Sequence, residues 1–599
     1  MAEASSHGVV LPTANKRSIL VTSALPFVNN VPHLGNIIGS VLSGDVFARY
    51  CRARGLDTLY IGGTDEYGTT TEARALLENC TPKELCDKYH AIHAEIYQWF
   101  NISFDIFGRT TTQLQTDITQ DIFLRLQKNG FLKERLTTQL YCEHHQSFLA
   151  DRFVEGECPI CGYEDARGDQ CDVCGRLLDT LQLKNPRCKL DGAKPITKDT
   201  NHIFLELDKL QPEVEAFFEE SVSNGSWSRN GQVITSSWLK QGLKPRSITR
   251  DIKWGTAVPL PGYEDKVIYS WFDACIGYVS ITASYTDQWE QWWRNPNVQL
   301  YQFIGKDNVV FHSVIFPSSQ IGTEEPWTKL HHLSTTEYLT YEGGKFSKSR
   351  GIGVFGDSAR ETGVPSDIWR YFLLSHRPET NDSEFTWESF ISCNNNLLLK
   401  NFGNFVSRVL KFINSRQYND VVPNWQDHSD ASVKGFQKNI NVLLTQYIQD
   451  LDAVKIRSAL DIVLQISHEG NGFLQSSKLD NSLAENEPLK CAAVIGVAIN
   501  VVHLLASLVS PFMPDTAKSI CSQLRADLLP IRGEWSPGSI APGHKIDKSQ
   551  HLFSRIKPEK AEEWRKLFGS DEVAKLKKEE AALKARKSAA AKVAKISEK

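Results

Sequence analysis

Between Ser18 and Gly62 the chain reads as strand, loop, helix, strand, and that order commits its N-terminal part to a parallel sheet. Ser18 to Thr22 is a β-rich run, Ala24 to Pro32 is a loop, and Ile37, Val41, Leu42, Val46 and Phe47 recur at helical spacing to about Arg54. Gly55 closes the helix and Thr58 to Gly62 forms the next strand. Strands joined through a helix lie parallel, and such sheets collect ligands beyond the carboxyl ends of their strands. That end lies at His33 and at Asp65. His33-Leu34-Gly35-Asn36 therefore starts a helix, where free backbone N–H groups and the helix dipole favour an anion.

At 599 residues the chain exceeds one ordinary domain, and about 3 to 4 are expected. With 41% hydrophobic and 23% charged residues the composition is globular. A net charge of -4 excludes a uniformly basic surface, so any nucleic-acid contact must come from local patches. Met1 to Arg17 is polar and has no apolar core, so no secretory signal is expected and the cytosol is the default compartment. Cys491 to Val509 approaches membrane-spanning length. Asn500, His503 and Ser507 line one face of it and Pro511 and Pro514 follow, which predicts a buried bundle helix and no membrane partner.

Six of the thirteen cysteines fall between Cys142 and Cys188, and in a reducing compartment such clustering favours metal over disulfides. Cys158-x2-Cys161 followed by Cys171-x2-Cys174 offers four thiolates in two tight turns, the pattern of a closed structural zinc site with no position open for catalysis. Cys142-x2-His145 and Cys188-x2-Asp191 offer two thiolates, an imidazole and a carboxylate, so the sequence leaves open one zinc ion or two.

Alternation resumes with Val267 to Trp271, then Gln299 to Gly305, and reaches a Gly343-Gly344 turn before Lys345-Phe346-Ser347-Lys348-Ser349. Two ammonium groups and two hydroxyls after such a turn suit a phosphate clamp. From about Trp387 the pattern becomes helical, through Asn394 to Phe412, Val433 to Ile466 and Cys491 to Val509. Asp571 to Lys599 carries nine basic against five acidic residues and no large apolar face.

In this order and setting the two motifs resemble those of class I aminoacyl-tRNA synthetases. The chain is similar to methionyl-tRNA synthetases of the eukaryotic cytosolic, fungal-like kind along about 18 to 570, through Ala24 to Asn30 before His33, Gly63 to Gly68, Trp271 to Ala274, Phe303 to Asp307 and Tyr341 to Arg350. The resemblance implies an α/β fold with a Rossmann-like nucleotide-binding domain at 18–138 and 263–325, split by a connective insertion with zinc knuckles at 139–262. A stem-contact region at 326–386 and an α-helical anticodon-binding bundle at 387–570 would follow, with tails at 1–17 and 571–599.

It further implies ATP-dependent, Mg2+-assisted activation of L-methionine and transfer to tRNA(Met), for initiation and elongation. His33, Asn36, Lys345 and Lys348 would be catalytic, and His33, Gly35, Asn36, Ser347, Lys348 and Ser349 would hold ATP. Leu25, Phe27, Asp65, Trp271, Tyr278 and His312 would enclose methionine, with Asp65 on the ammonium and the aromatic walls on the thioether. Asn404 and Arg408, at i and i+4 on a helix, would read the anticodon. A multi-synthetase assembly or an accessory tRNA-binding partner is compatible with it.

Three positions depart from the family pattern. Phe27 stands where many relatives have tyrosine, Cys275 where bacterial relatives have proline, and Leu479-Asp480 where an anticodon-stacking tryptophan is expected. Leucyl, isoleucyl and valyl enzymes usually carry a larger editing insertion than Cys142 to Val267 allows, which leaves methionine first. A pocket that reads an apolar chain discriminates one missing methylene by only about 1 to 3 kcal/mol, so homocysteine should be activated too.

Overall fold

The computed structural model describes residues 8–149, 153–168, 171, 178–344, 346, 352–426 and 431–569. They divide into two compact units, one of Met1–Val31, Leu56–Gln98 and Ile102–Thr336, the other of Pro32–Gly55, Trp99–Asn101 and Glu337–Lys599. Lys345, Ser347, Lys348, Ser349, Cys174 and the tail beyond 569 lie outside the described residues.

The first unit is built on five parallel strands, β1 (Ser18–Ser23), β2 (Asp57–Thr64), β3 (Ile106–Arg109), β4 (Val298–Gly305) and β5 (Leu330–Thr336), in the order β5-β4-β1-β2-β3. Every residue of β1 is buried, as a strand enclosed on both faces requires. From β1 the chain passes to β2 on one side and returns as β4 on the other. The strand order thus reverses beside β1, and the crevice beyond its carboxyl end is the expected ligand site. There the Ala24 N–H donates to the Phe303 carbonyl at 3.0 Å, fixing the start of the loop Ala24 to Pro32.

Two expectations are corrected. The run Val267 to Trp271 is a strand only at Val267–Ile268, where it pairs antiparallel with Thr249–Arg250 and Thr256–Ala257; Ser270–Asp273 is then a helical turn, tied by Ala274 N–H to Ser270 C=O at 2.9 Å. The catalytic sheet also extends past 325, because β5 pairs in parallel with β4. Apolar content alone did not separate a short buried strand from a short buried helix.

The insertion leaves the sheet on a two-stranded antiparallel ribbon, Leu132–Cys142 with Ile196–Leu205. Beyond it Val154–Glu157 pairs with Ala166–Arg167 and with Lys184–Cys188. The core of this lobe is Leu140, Leu149, Phe153, Val154, Ala166 and Leu183 together with Cys142, Cys158, Cys171 and Cys188. So small a core does not hold a fold without a staple.

The second unit is mostly helical, its first long helix being Leu42–Ala53, and it pairs Leu339–Tyr341 with Ser383–Phe385. Wholly buried Arg370 donates to Asp45 Oδ2 at 2.7 Å and to the carbonyls of Phe100, Pro511 and Phe512, so all of its charge is answered inside the unit. Tyr50 donates to Asp452 at 2.9 Å and Arg54 to the Ile531 carbonyl at 2.7 Å. The N-terminal helix is therefore bolted to the C-terminal bundle along its length. The helix Pro488–Val509 is buried from Cys491 to Val509, as expected of a bundle helix. Its Asn500, His503 and Ser507 bond to backbone of the segment 527–540.

Candidate active site, metal knuckles and anticodon face

In the first unit, the loop after β1 and the loop after β2 meet in a bridge between Phe27 and Asp65, with Asp65 N–H donating to the Pro26 carbonyl at 2.9 Å. Asp65 is buried and its Oδ1 has no hydrogen-bond partner among the described residues. Burial first, then the charge of Asp273, holds its carboxyl well above the usual range. A buried carboxylate left open in this way is a receiver for a cation.

A chain of polar groups adjoins it. His312 Nδ1 lies 2.8 Å from the Asn308 carbonyl, which can only accept, so Nδ1 carries the proton and Nε2 accepts from the Tyr278 hydroxyl at 2.8 Å. Burial lowers the His312 pKa to about 4, so the ring is neutral. The Leu25 N–H points at the Tyr278 oxygen. Trp271 packs on Tyr269 and Phe311, at 5.2 and 5.0 Å between ring centres. Leu25, Asp65, Tyr278 and His312 are thus assembled, whereas Phe27 is 42% exposed and stands at the rim. Cys275 is buried and its thiol faces the Phe311 carbonyl at 3.8 Å.

In the second unit, His33 and Asn36 cap each other. Asn36 N–H donates to His33 Nδ1 at 3.3 Å, and Asn36 Oδ1 accepts from His33 N–H at 3.1 Å. Burial lowers the His33 pKa to about 4, so the neutral ring keeps its proton on Nε2 and offers a donor there. Its plane is set by Phe346, stacked at 4.7 Å and 5°, with Phe355 edge-on at 6.3 Å. A Cβ on Gly35 would fall 2.9 Å from the His33 ring, so glycine is needed here by the histidine itself. Ile37–Val41 then continues as a π-helical turn. Tyr341 and Gly344 exchange backbone hydrogen bonds at 2.8 Å with Gly343 at φ 80°, which gives the turn expected before Lys345.

Asn404 and Arg408 stand on the helix Asn404–Ile413, and both turn to Asn471, Asn404 Nδ2 at 2.9 Å and Arg408 at 3.3 Å from its Oδ1. Asn471 Nδ2 is itself held by the Asn401 and Ser467 carbonyls at 3.0 and 3.1 Å. The face is an interlocked row of amides and a guanidinium.

The donor atoms of Cys142, His145, Cys188 and Asp191 lie within 4.8 Å of one another, as do those of Cys158, Cys161 and Cys171. A tetrahedral zinc with bonds of about 2.0 to 2.3 Å sets its ligands roughly 3.4 to 3.8 Å apart. Cys161 to Cys171 is 3.6 Å, Cys188 to His145 is 3.8 Å and His145 to Asp191 is 3.5 Å. Cys142 Sγ lies 3.2 Å from His145 and 4.0 Å from Asp191, a looser spread, and three of the four thiolates from Cys158 to Cys174 are among the described residues. The Cys161 and Ile160 N–H groups bring the Cys158 thiol down to about 7. The Ala193 N–H and His144 hold Asp191 at about 2, and His144 at 2.7 Å orients that carboxylate as an outer partner.

Residues 19–410 match the family described as tRNA synthetases class I (M), and residues 422–573 match the anticodon binding domain of methionyl tRNA ligase. The chain belongs to the methionyl-tRNA synthetases of class I. It is 55% identical to the cytoplasmic methionine--tRNA ligase of Saccharomyces cerevisiae over 94% of this chain and 75% of that one. Against the probable cytoplasmic methionine--tRNA ligase of Schizosaccharomyces pombe the identity is 56% over 94% and 72%. A Mycobacterium tuberculosis methionyl-tRNA synthetase, solved in complex with methionyl-adenylate, shares the fold with a TM-score of 0.74 at 21% identity, covering 90% of this chain and all of that one.

Two residues of this synthetase escaped the sequence. Asp273, wholly buried, shares its turn with Trp271, and Asn471 holds Asn404 and Arg408 from a different helix, Ile456–Ser476. A charged residue two places from a pocket tryptophan was the available signal for the first; nothing local marked the second.

Proposed function

We infer that the chain attaches L-methionine to tRNA(Met) in two steps. The methionine carboxylate attacks the α-phosphorus of ATP and expels pyrophosphate; a 3'-terminal ribose hydroxyl of the tRNA then attacks the adenylate carbonyl and expels AMP. The reading is carried by the enclosed Asp65 carboxylate, one oxygen of which is open, in a chain of this family whose Tyr278 and His312 are bonded to each other nearby. Asp65 receives the ammonium group, and Trp271, Tyr278 and His312 wall the side chain. The Tyr278 proton is committed to His312, so the pocket offers the sulfur shape and polarisability rather than a donor. Such a pocket does not reject homocysteine strongly, and homocysteine thiolactone should form in the presence of ATP.

The Nε2–H of His33 and the free N–H groups of the helix start support a role for His33, Gly35 and Asn36 on the triphosphate, joined by Lys345, Ser347, Lys348 and Ser349. Mg2+, used with ATP by class I synthetases, would neutralise phosphate charge. Asn404 and Arg408 are assigned to the anticodon, and the basic tail to weak, salt-sensitive tRNA contacts. An accessory tRNA-binding partner or a multi-synthetase assembly remains compatible with the chain, and the names of its relatives point to the cytoplasm.

Structural zinc is assigned to Cys158, Cys161, Cys171 and Cys174, and a second ion to Cys142, His145, Cys188 and Asp191. Metal analysis should give two equivalents of zinc, falling to one in Cys142→Ser; one equivalent in the unaltered protein rejects the second site. Methionine-dependent ATP–pyrophosphate exchange tests the function. Exchange with leucine or cysteine in place of methionine would overturn it.

A further inference from the structure

Asp273 is a wholly buried carboxylate that the pocket described above leaves without a task. Thr256 Oγ1 donates to its Oδ2 at 3.0 Å, and Gln115 Nε2 donates to its main-chain carbonyl at 2.9 Å while Gln115 Oε1 accepts from the Ser280 hydroxyl at 2.6 Å. Its Oδ1 has no hydrogen-bond partner, the same condition as Asp65 Oδ1. Native folds rarely leave one buried carboxylate oxygen open, and here two lie on adjoining turns: a Cβ on Gly68, in the loop after Asp65, would fall 2.8 Å from Ser270 Oγ, on the turn of Asp273.

The backbone places them around one loop. Phe27 bridges to Asp65, and a Cβ on Gly277, just beyond the turn of Asp273, would lie 2.9 Å from Leu25 Cδ1. The groups acting on Asp273 are Asp65 and Tyr67 after β2, Cys275 on its own turn, and neutral Gln115 and Thr256 from the helix Gln113–Lys128 and the strand Thr256–Ala257. No cation is among them. A positive group arriving with a ligand would answer both oxygens.

We propose that Asp273 and Asp65 together seat the ammonium group of the substrate, Asp273 Oδ1 taking a second N–H beside the one taken by Asp65 Oδ1. This rests on the assignment of Asp65 to the ammonium group. Three N–H donors of an ammonium group diverge, so one carboxylate oxygen answers one of them and two oxygens hold the group in a single orientation. The seat takes primary amines carrying the methionine side chain, with or without a carboxylate, and refuses the corresponding 2-hydroxy acid.

A proton is linked to this seat. Burial pushes the Asp273 carboxyl up to about 7, and Asp65 lies well above its ordinary range, so the free pocket holds a proton near neutrality. A cation placed between the two carboxylates favours their charged forms and expels it. Methionine binding then releases a proton near pH 7, and affinity rises as the pH passes upward through that value.

Calorimetric titration of the full chain with methionine, methioninol and 2-hydroxy-4-(methylthio)butanoate, at pH 7 in two buffers of different ionisation heat, reads the proton directly. Release is expected with both amines and none with the hydroxy acid. In Asp273→Asn the KM for methionine in pyrophosphate exchange should rise roughly ten- to a hundredfold at pH 8, with that for ATP unchanged, and the gap should narrow at pH 6. Thr256→Val keeps the carboxylate but frees it, and should raise the methionine KM a few-fold; it serves if Asp273→Asn does not fold. No proton release in the unaltered protein, or a methionine KM within twofold of it at pH 8 in the folded variants, overturns the proposal. Should Asp65→Asn also leave the methionine KM unchanged, the pocket assignment itself falls; should Asp65→Asn alone be impaired, only the role of Asp273 does.

Discussion

Asp65 and Asn404 are both polar side chains assigned to a substrate, yet their surroundings are opposite. Asp65 is buried with one oxygen bonded to nothing, whereas Asn404 is exposed and already donates to Asn471. A buried carboxylate with one open oxygen gains a charged hydrogen bond when a cationic ligand arrives. An exposed amide exchanges one partner for another and gains about 1 kcal/mol net. On these assignments the Asp65 pocket favours discrimination per contact and the face of Asn404 and Arg408 many modest contacts. This difference sets the size of every expected effect.

Asp65→Asn breaks the comparison at its stronger end. It keeps the shape and removes the charge, so kcat/KM for methionine in pyrophosphate exchange should fall about a hundredfold or more, roughly 2.7 kcal/mol. A loss below fivefold would place Asp65 with the exchangeable contacts and erase the distinction.

Tyr278→Phe comes next. It strands the Leu25 N–H and leaves His312 Nε2 without a donor among buried groups, which costs about 1 to 3 kcal/mol. Roughly tenfold in kcat/KM for methionine is expected, with the KM for ATP unchanged. His312 adds a pH signature. Its pKa is about 4 in the folded chain against an ordinary value of 6.5, so the unfolded chain binds the proton that the folded one refuses. Stability therefore falls as pH drops from about 6.5 to about 4, by up to about 3 kcal/mol, and recovers as pH rises. Denaturant midpoints of the unaltered protein and His312→Asn across that range should converge at low pH.

Much of this was legible in the sequence, and the limits have physical causes. The βαβ start was readable because Ile37, Val41, Leu42 and Val46 keep helical spacing between two apolar runs, and Gly55 indeed takes a positive φ of 75°. The cysteine spacing predicted the lobe whose core four of those cysteines form. What stayed hidden is long-range or conformational. Among the described residues the π-helical segments are Ile37–Val41, Phe311–Ile315 and Cys393–Gly403, which follow Asn36, contain His312 and run into Asn404. Such widened turns often mark working sites and carry no simple residue signature. The bonding of Asp273 to Thr256, 17 residues away in the chain, is likewise invisible to periodicity.

The weaker end of the comparison is tested by Asn404→Ala and Asn471→Ala. If the anticodon face acts as a set of exchangeable contacts, Asn404→Ala should raise the KM for tRNA(Met) only about fivefold, near 1 kcal/mol, and leave pyrophosphate exchange untouched. Asn471 touches both Asn404 and Arg408 and is pinned by Asn401 and Ser467, so its removal frees two recognition groups together. Asn471→Ala should therefore weaken tRNA use at least as much as Asn404→Ala, and the double variant should lose less than the sum of the two, because they share one network. Full additivity would mean that Asn471 contacts the tRNA in its own right, and the row of amides would then be a reading surface three residues wide rather than two residues held in place by a third.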